Sequence, residues 1–298
     1  MADPRSDTRL AWGLLAPALV VIAGVALFPL AWTFWESLHL HDLRMPWLGR
    51  PFVGLANYAE ILGDGRFWSS LGHTLFFAAA SVTLELALGL VLALAMDRAT
   101  RFRGAVRAAV LVPWALPTVV AALLWRFLFD PQAGIVDAAL VQAGLVDRPV
   151  VWFAHPVTAW VPVILADVWK TTPFVALLLL AGLQGIDRSL YEAAAVDGAG
   201  AWRRLVSVTL PLLKPALLVA LLFRTLDAFR VFDLVYVLTG GGPGTATEPI
   251  ALYTFTTFFS NLRFGYGSAL SVMVFLVTFG LAMIYIHLLG ADPEEGRR

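Results

Sequence analysis

Hydrophobic and polar positions alternate along this chain on a coarse scale: long apolar stretches are cut by short polar ones. Six stretches are long enough to form membrane-crossing helices. They run Ala11 to Trp35, Leu71 to Met96, Ala108 to Trp125, Val157 to Gln184, Pro215 to Leu238 and Tyr266 to Leu289. A hydrocarbon core of about 30 Å takes roughly 20 apolar helical residues, and each stretch meets or approaches that length. Pro113 and Pro117 predict a kink or break in the third, because proline removes a helical N–H and crowds the preceding turn. The polar stretches Glu36 to Ser70 and Arg126 to Pro156 read as loops on one side, the second with a short helix around Gly134 to Gly144. The pattern therefore predicts an all-α membrane protein of six spans in one domain, with a polar segment, Gly185 to Lys214, between the fourth and fifth.

That polar segment is too ordered in pattern to be a plain linker. Ser189 followed three residues later by Glu192 has the form of a capping box, which predicts a helix from Leu190. Gly198 and Gly200 predict its end after about two turns. Between them Ala193, Ala194 and Ala195 supply helix propensity without bulk, which suits close packing against another surface.

Composition and charge narrow the classes. Of 298 residues, 59% are hydrophobic and 14% charged, far from the balance of a soluble domain. Net charge is zero, which gives no reason to expect a nucleic-acid partner. There is no cysteine, which excludes disulfides and thiol catalysis. Loops on the amino-terminal side carry twelve lysines and arginines and the opposite loops six, so both termini and the Gly185 to Lys214 segment are expected in the cytoplasm.

No Gly-x-x-x-x-Gly-Lys-Ser/Thr occurs, so a nucleotide site is not expected on this chain. The glycine-rich run Leu238 to Gly244 lacks the lysine and reads as a helix exit and turn. His39, His41 and Asp42 share a loop, but His-x-His in a wet loop is an ordinary solvated pattern and no metal site is expected. No Ser, His and Asp arrangement points to a hydrolase, and no catalytic residue is expected.

Charges inside the apolar stretches are the stronger chemical lead. Arg224, Asp227, Arg230 and Asp233 recur every three residues with alternating sign, a spacing at which neighbours on a helix face neutralise one another. A charge facing lipid costs about 2.5 to 3.5 kcal/mol on insertion scales, so this face and that of Asp167 and Lys170 are expected to look into protein or a watery cavity. Glu85 stands alone in the second stretch, where a helix–helix hydrogen bond is expected.

The central segment also carries a resemblance. Glu192-Ala193-Ala194, Gly198, Val208 and Leu210-Pro211 match the spacing of the Glu-Ala-Ala motif in membrane subunits of binding-protein-dependent ABC importers, and within them the carbohydrate-uptake group. Val208 replaces the usual Ile, and Asp187 stands where a Pro often precedes the helix. The run from Thr239 to Gly244 is similar to the exit loop of carbohydrate permeases. The resemblance implies a type I importer permease fold with a cytoplasmic coupling helix, in a non-catalytic subunit of the inner membrane. It implies a second homologous permease, two ATPase subunits holding ATP and magnesium, an extracytoplasmic solute-binding protein, and a sugar or polyol as substrate. Carried across, ATPase coupling falls to Glu192, Ala193, Ala194, Asp197 and Gly198. Ligand contact, by likeness to the maltose-type permeases, falls to Asp167, Lys170, Thr171 and Phe174 on the fourth span and Arg224, Ala228, Val231 and Asp233 on the fifth. The rival reading is an ion-coupled secondary transporter that uses the buried Asp and Arg residues.

Overall fold

The structure, a computed structural model, describes residues 4–98 and 102–289. The charged tail from Ala291 to Arg298 and the middle of the arginine turn, 99–101, lie outside the described residues. In chain order the helices are α1 (Pro4–Ile22), α2 (Phe28–Ser37), α3 (Ala56–Gly63), α4 (Gly65–Arg98), α5 (Arg103–Ala115), α6 (Thr118–Leu128) and α7 (Ile135–Gln142). They continue with α8 (Trp160–Gln184), α9 (Arg188–Val196), α10 (Ala201–Arg204), α11 (Leu210–Ala228), α12 (Asp233–Leu238), α13 (Ile250–Phe259) and α14 (Phe264–Leu289). Among the described residues the only β pairing is two isolated bridges, His39 with Phe52 and Asp42 with Arg263.

Five continuous helical stretches are long and apolar enough to cross a membrane: Trp12–Ser37, Gly65–Arg98, Trp160–Gln184, Ala201–Ala228 and Phe264–His287. A sixth is the pair α5 and α6, bent by 87°. The bend falls at Leu116 and Pro117, both extended, with ψ of 138° and 137°. Pro117 excludes Leu116 from the helical region by clash with its own ring, which is why the break falls there. The fifth crossing differs from the expected Pro215 to Leu238. It starts at Ala201, passes a π-helical turn at Leu205–Thr209 just before Pro211, and ends at Ala228. In the wide turn Leu210 N donates to Leu205 O, five residues back, directly before Pro211, which has no N–H to donate. Phe232, at φ −136° and ψ −66°, then leaves the helical region before α12 begins with Asp233 in its first turn, where a carboxylate suits the helix dipole.

The chain forms two compact units. Among the described residues, one holds those up to Gly65 together with Thr254–Leu276, and the other those from Arg66 to Tyr253 and from Val277 on. In the first, α1 and α2 join through a π-helical turn at Ala23–Leu27. Their large side chains from Trp12 to Trp35 are exposed, as a helix in lipid requires. The carboxamide of Asn57 donates to the carbonyls of Ser37 and His39 at 2.8 and 3.0 Å, satisfying orphan acceptors where α2 ends. His39 Nδ1 lies 2.7 Å from Trp35 O, His41 pairs with Glu36, and Asp42 accepts from Arg44 at 2.6 Å. The Arg44 guanidinium holds the Asp42 carboxyl below its ordinary range. No set of three metal-ligating side chains occurs among the described residues.

In the second unit α8 is the central helix, with 61% of its most apolar window buried, and packs on α5, α6, α11 and α12. Its neighbours approach closely where side chains are absent. A Cβ on Gly89 of α4 would stand 2.6 Å from Val175 Cγ1, and one on Gly182 of α8 would stand 2.7 Å from Ala216 Cβ and 2.8 Å from Leu213 Cδ1. Small residues at such crossings let helices gain dispersion contact where no hydrophobic effect drives them together. The glycine-rich exit after α12 places Gly240, Gly241 and Gly244 at positive φ. Thr247 Oγ1 lies 2.7 Å from Thr239 Oγ1 and donates to Gly242 O at 2.7 Å, while Glu248 takes a two-pronged contact from Arg66 at 2.7 and 2.8 Å. The loop is thus fastened to the start of α4.

Candidate functional site

The centre of the second unit is an ion cluster. Arg224 of α11 presents both edges of its guanidinium to Glu85 of α4, with Nη2 donating to Oε1 at 2.9 Å and Nε to Oε2. The same Nη2 reaches Asp167 Oδ2 on α8 at 3.1 Å, and Nη1 pairs with Asp227 one turn on. Glu85 is fully buried and Arg224 is 2% exposed, whereas the Asp227 side chain is 66% exposed. One cation therefore ties three helices together inside the apolar layer.

The helix–helix hydrogen bond expected of Glu85 forms, and its partner is Arg224, 139 positions away. One expectation is corrected. The row Arg224, Asp227, Arg230 and Asp233 is not one helix face, because α11 ends at Ala228 and only the first pair, Arg224 with Asp227, forms.

Beside the cluster lies a cavity of about 230 Å³. Of the residues expected to contact ligand, Asp167, Lys170, Thr171, Val231 and Asp233 line it. Thr118, Asp227, Arg230, Phe232 and Leu234 complete the wall, so the break after α11 is what brings Arg230 to Leu234 to the cavity. Thr118 carries no signal in the sequence beyond following Pro117. Three expected residues lie elsewhere. Arg224 and Ala228 are buried within the helix packing. Phe174 stacks on Trp114 with ring centres 5.9 Å apart and meets Phe223 edge-on at 6.4 Å. The Thr171 hydroxyl donates back to Asp167 O at 2.6 Å, and Trp169 packs on Trp125 at 6.0 Å.

The expected coupling residues form one compact element. The helix starts at Arg188, not Leu190, and Ser189 is not its cap: Asp187 is, its carboxylate accepting from Ser189 N at 2.9 Å. Asp caps at least as well as Ser, and its position two residues earlier wins. That hydrogen bond holds the Asp187 carboxyl below its ordinary range. The helix ends as expected at Gly198, φ +76°, with Gly198 N donating to Ala195 O and Ala199 N to Ala194 O, a Schellman pair. Glu192, Ala193, Asp197 and Gly198 are exposed and Ala194 is half-buried. Tyr191 Oη lies 3.1 Å from Thr209 Oγ1 in the π-helical turn of the fifth crossing, so α9 is fastened to a membrane helix.

Membrane-crossing helices around a charged cavity, with an exposed short helix fixed to one of them, define a membrane permease subunit. The chain belongs to the family of binding-protein-dependent transport system inner membrane components, whose profile matches residues 85–289. It is 44% identical to the trehalose/maltose transport system permease protein MalF of Thermococcus litoralis, over 95% of this chain and 94% of that one. It is 44% identical to the trehalose transport system permease protein SugA of Mycobacterium tuberculosis, over 98% and 92%, and 39% identical to the sulfoquinovosyl glycerol transport system permease protein SmoG of Agrobacterium fabrum, over 95% and 91%. A crystal structure of a bacterial alginate ABC transporter with its periplasmic protein contains a chain of the same fold, with TM-score 0.80, 22% identity, and coverage of 95% of this chain and 94% of that one. The chain is thus a non-catalytic permease subunit of an ABC importer in the inner membrane, with a type I permease fold.

Proposed function

We propose that this subunit passes a sugar or related polyol, of the kind exemplified by trehalose and maltose, through the membrane. The supporting observation is that two relatives 44% identical over nearly their whole length carry trehalose or trehalose/maltose in their names. The working unit is this chain paired with a second homologous permease, two ATPase subunits that hold ATP and magnesium, and an extracytoplasmic binding protein. The ligand path runs by the cavity, with Asp167, Lys170, Thr171, Val231 and Asp233 touching ligand and Phe174, Arg224 and Ala228 supporting the wall behind them. Charged and hydroxyl groups beside the Phe232 ring suit a polyhydroxylated ligand. ATPase coupling falls to Glu192, Ala193, Ala194, Asp197 and Gly198, with Leu190 and Val196 of the same helix exposed at 45% and 89%.

The test is uptake of labelled trehalose into proteoliposomes holding the whole complex. Uptake is expected to need internal or external ATP on the ATPase side and to survive an ionophore; collapse by the ionophore with no ATP requirement would establish the ion-coupled alternative. Lys170→Met and Asp233→Asn are expected to raise KM roughly tenfold or more with assembly unchanged, since a hydrogen bond to a charged group contributes about 1.5 to 3 kcal/mol. Phe174→Ala, removing one ring of a stack, is expected to lower thermal stability and leave KM within about twofold. Unchanged KM in both Lys170→Met and Asp233→Asn removes the ligand from this cavity.

The asymmetry of lysines and arginines between the loops supports a cytoplasmic location for both termini and α9. With no native cysteine to interfere, cysteines at His41 and Ala246 are expected to react with an impermeant thiol reagent applied outside intact cells, and one at Ala201 is expected not to. Outside labelling at Ala201 reverses the orientation.

A further inference from the structure

A second, larger cavity of about 1080 Å³ opens where four membrane crossings end on the same side. The end of α4, the start of α5, the end of α8 and the first turns of the fifth crossing all reach it. Arg98, Arg103, Arg107, Arg188 and Arg204 line it, with Asp97 the one carboxylate among the described residues of the lining. Among the described lining residues guanidinium groups outnumber carboxylates. Part of its wall is apolar, made by Leu94, Leu183, Ile186 and Leu205, and Trp202, also of the lining, is 76% exposed. Arg107 Nε is buried and has no hydrogen-bond partner among the described residues.

We propose that this cavity binds the headgroup of an anionic phospholipid. Guanidinium groups gathered in one cavity repel each other, and a phosphodiester relieves that repulsion. The planar guanidinium fork matches phosphate oxygens two at a time, which a scattered solvated arginine face does not exploit. The depth is that of lipid headgroups, because every element lining the cavity is the end of a membrane crossing or the connector next to it. The apolar part of the wall selects a lipid over a free anion: it gives the glycerol and upper acyl carbons a surface, and Trp202 lies at the end of a crossing, where interfacial tryptophans sit. Basic pockets between membrane helices hold anionic headgroups by the same balance. Arg188 opens α9, and Tyr191 on α9 also lines the cavity, so headgroup occupancy bears on the helix assigned above to ATPase coupling. The binding claim needs neither the sugar reading nor the orientation, since it rests on the crossings alone.

The experiment is native mass spectrometry of the intact importer complex purified in neutral detergent and titrated with phosphatidylglycerol or phosphatidylcholine. Phosphatidylglycerol is expected to be retained saturably and at least about tenfold better than phosphatidylcholine. Arg107→Gln and Arg204→Gln are each expected to lower that retention roughly fivefold, the equivalent of about 1 kcal/mol for each arginine near a membrane surface. Equal retention of the two lipids, or unchanged retention in the Arg107→Gln, Arg204→Gln double variant, overturns the proposal. Should that variant not assemble, competition on the parent complex decides: inorganic phosphate that displaces phosphatidylglycerol at equal concentration marks a free-anion site and overturns it, whereas persistence against a hundredfold excess supports it. Retention that arises only after the ATPase subunits are stripped away assigns the arginines to a protein partner and overturns it as well.

Discussion

Arg224→Met is expected to destabilise the assembled permease by about 3 to 5 kcal/mol, the cost of leaving buried carboxylates without their cation. Glu85 is fully buried and Asp167 is 8% exposed, and both accept from this one guanidinium. Methionine fills similar volume, so lost packing contributes little and the effect isolates the charge. Asp227→Asn provides the contrast. That side chain is 66% exposed, and an exposed partner contributes about 0 to 1 kcal/mol. Yield of assembled complex and its thermal inactivation in detergent are the measurements. A marked loss for Arg224→Met beside a small one for Asp227→Asn assigns Arg224 to the scaffold that holds α4, α8 and α11 in place. An Arg224→Met complex that assembles and inactivates like the parent yet no longer transports sugar would sink that assignment and make the arginine a ligand contact.

The same cluster illustrates what a single sequence exposes and what it conceals. An acidic residue in an apolar stretch is conspicuous, so Glu85 is visible as something that must be satisfied. Its partner is not visible, because 139 positions separate Glu85 from Arg224 and only the packing of α4 on α11 brings them together. Local chemistry was far more readable. Pro117 breaks the third crossing where its ring excludes a helical Leu116, and Gly198 ends α9 where a positive φ is required.

The errors arose where two local signals compete or where a pattern runs past its element. Asp187 and Ser189 are both good caps, and the earlier one starts the helix. The charges from Arg224 to Asp233 keep a helical spacing for ten residues, yet the helix stops after five of them. The spacing of charges is indifferent to a backbone break, and it is this break that turns Arg230 to Leu234 toward the cavity. The apolar run Ile250–Phe259 is a helix of ten residues, too short to register as a crossing and so hidden in what reads as loop.

Gly198→Val is expected to uncouple the importer while leaving the membrane helices intact. Gly198 holds φ +76°, and a Cβ there meets nothing within 4 Å, so the penalty is conformational and not steric crowding within this chain. A left-handed residue other than glycine costs about 1 to 2 kcal/mol, more for a β-branched side chain, and Asn is among the few that tolerate it. Relief of that strain unwinds the Schellman pair at Ala194 and Ala195 and shifts the face that Ala193, Ala194 and Val196 present. The Tyr191 to Thr209 contact, one turn earlier, fastens α9 to the fifth crossing, and it is expected to be retained only if α9 stays helical. ATPase association is therefore expected to weaken roughly tenfold in Gly198→Val, at 1.4 kcal/mol per factor of ten, with ligand-stimulated ATP hydrolysis lost and membrane insertion unchanged. Gly198→Asn is expected to stay within about threefold of the parent on both measures. If Gly198→Val binds and stimulates the ATPase as the parent does, the end of α9 has no part in coupling, and the segment is a connector whose helix merely joins two crossings.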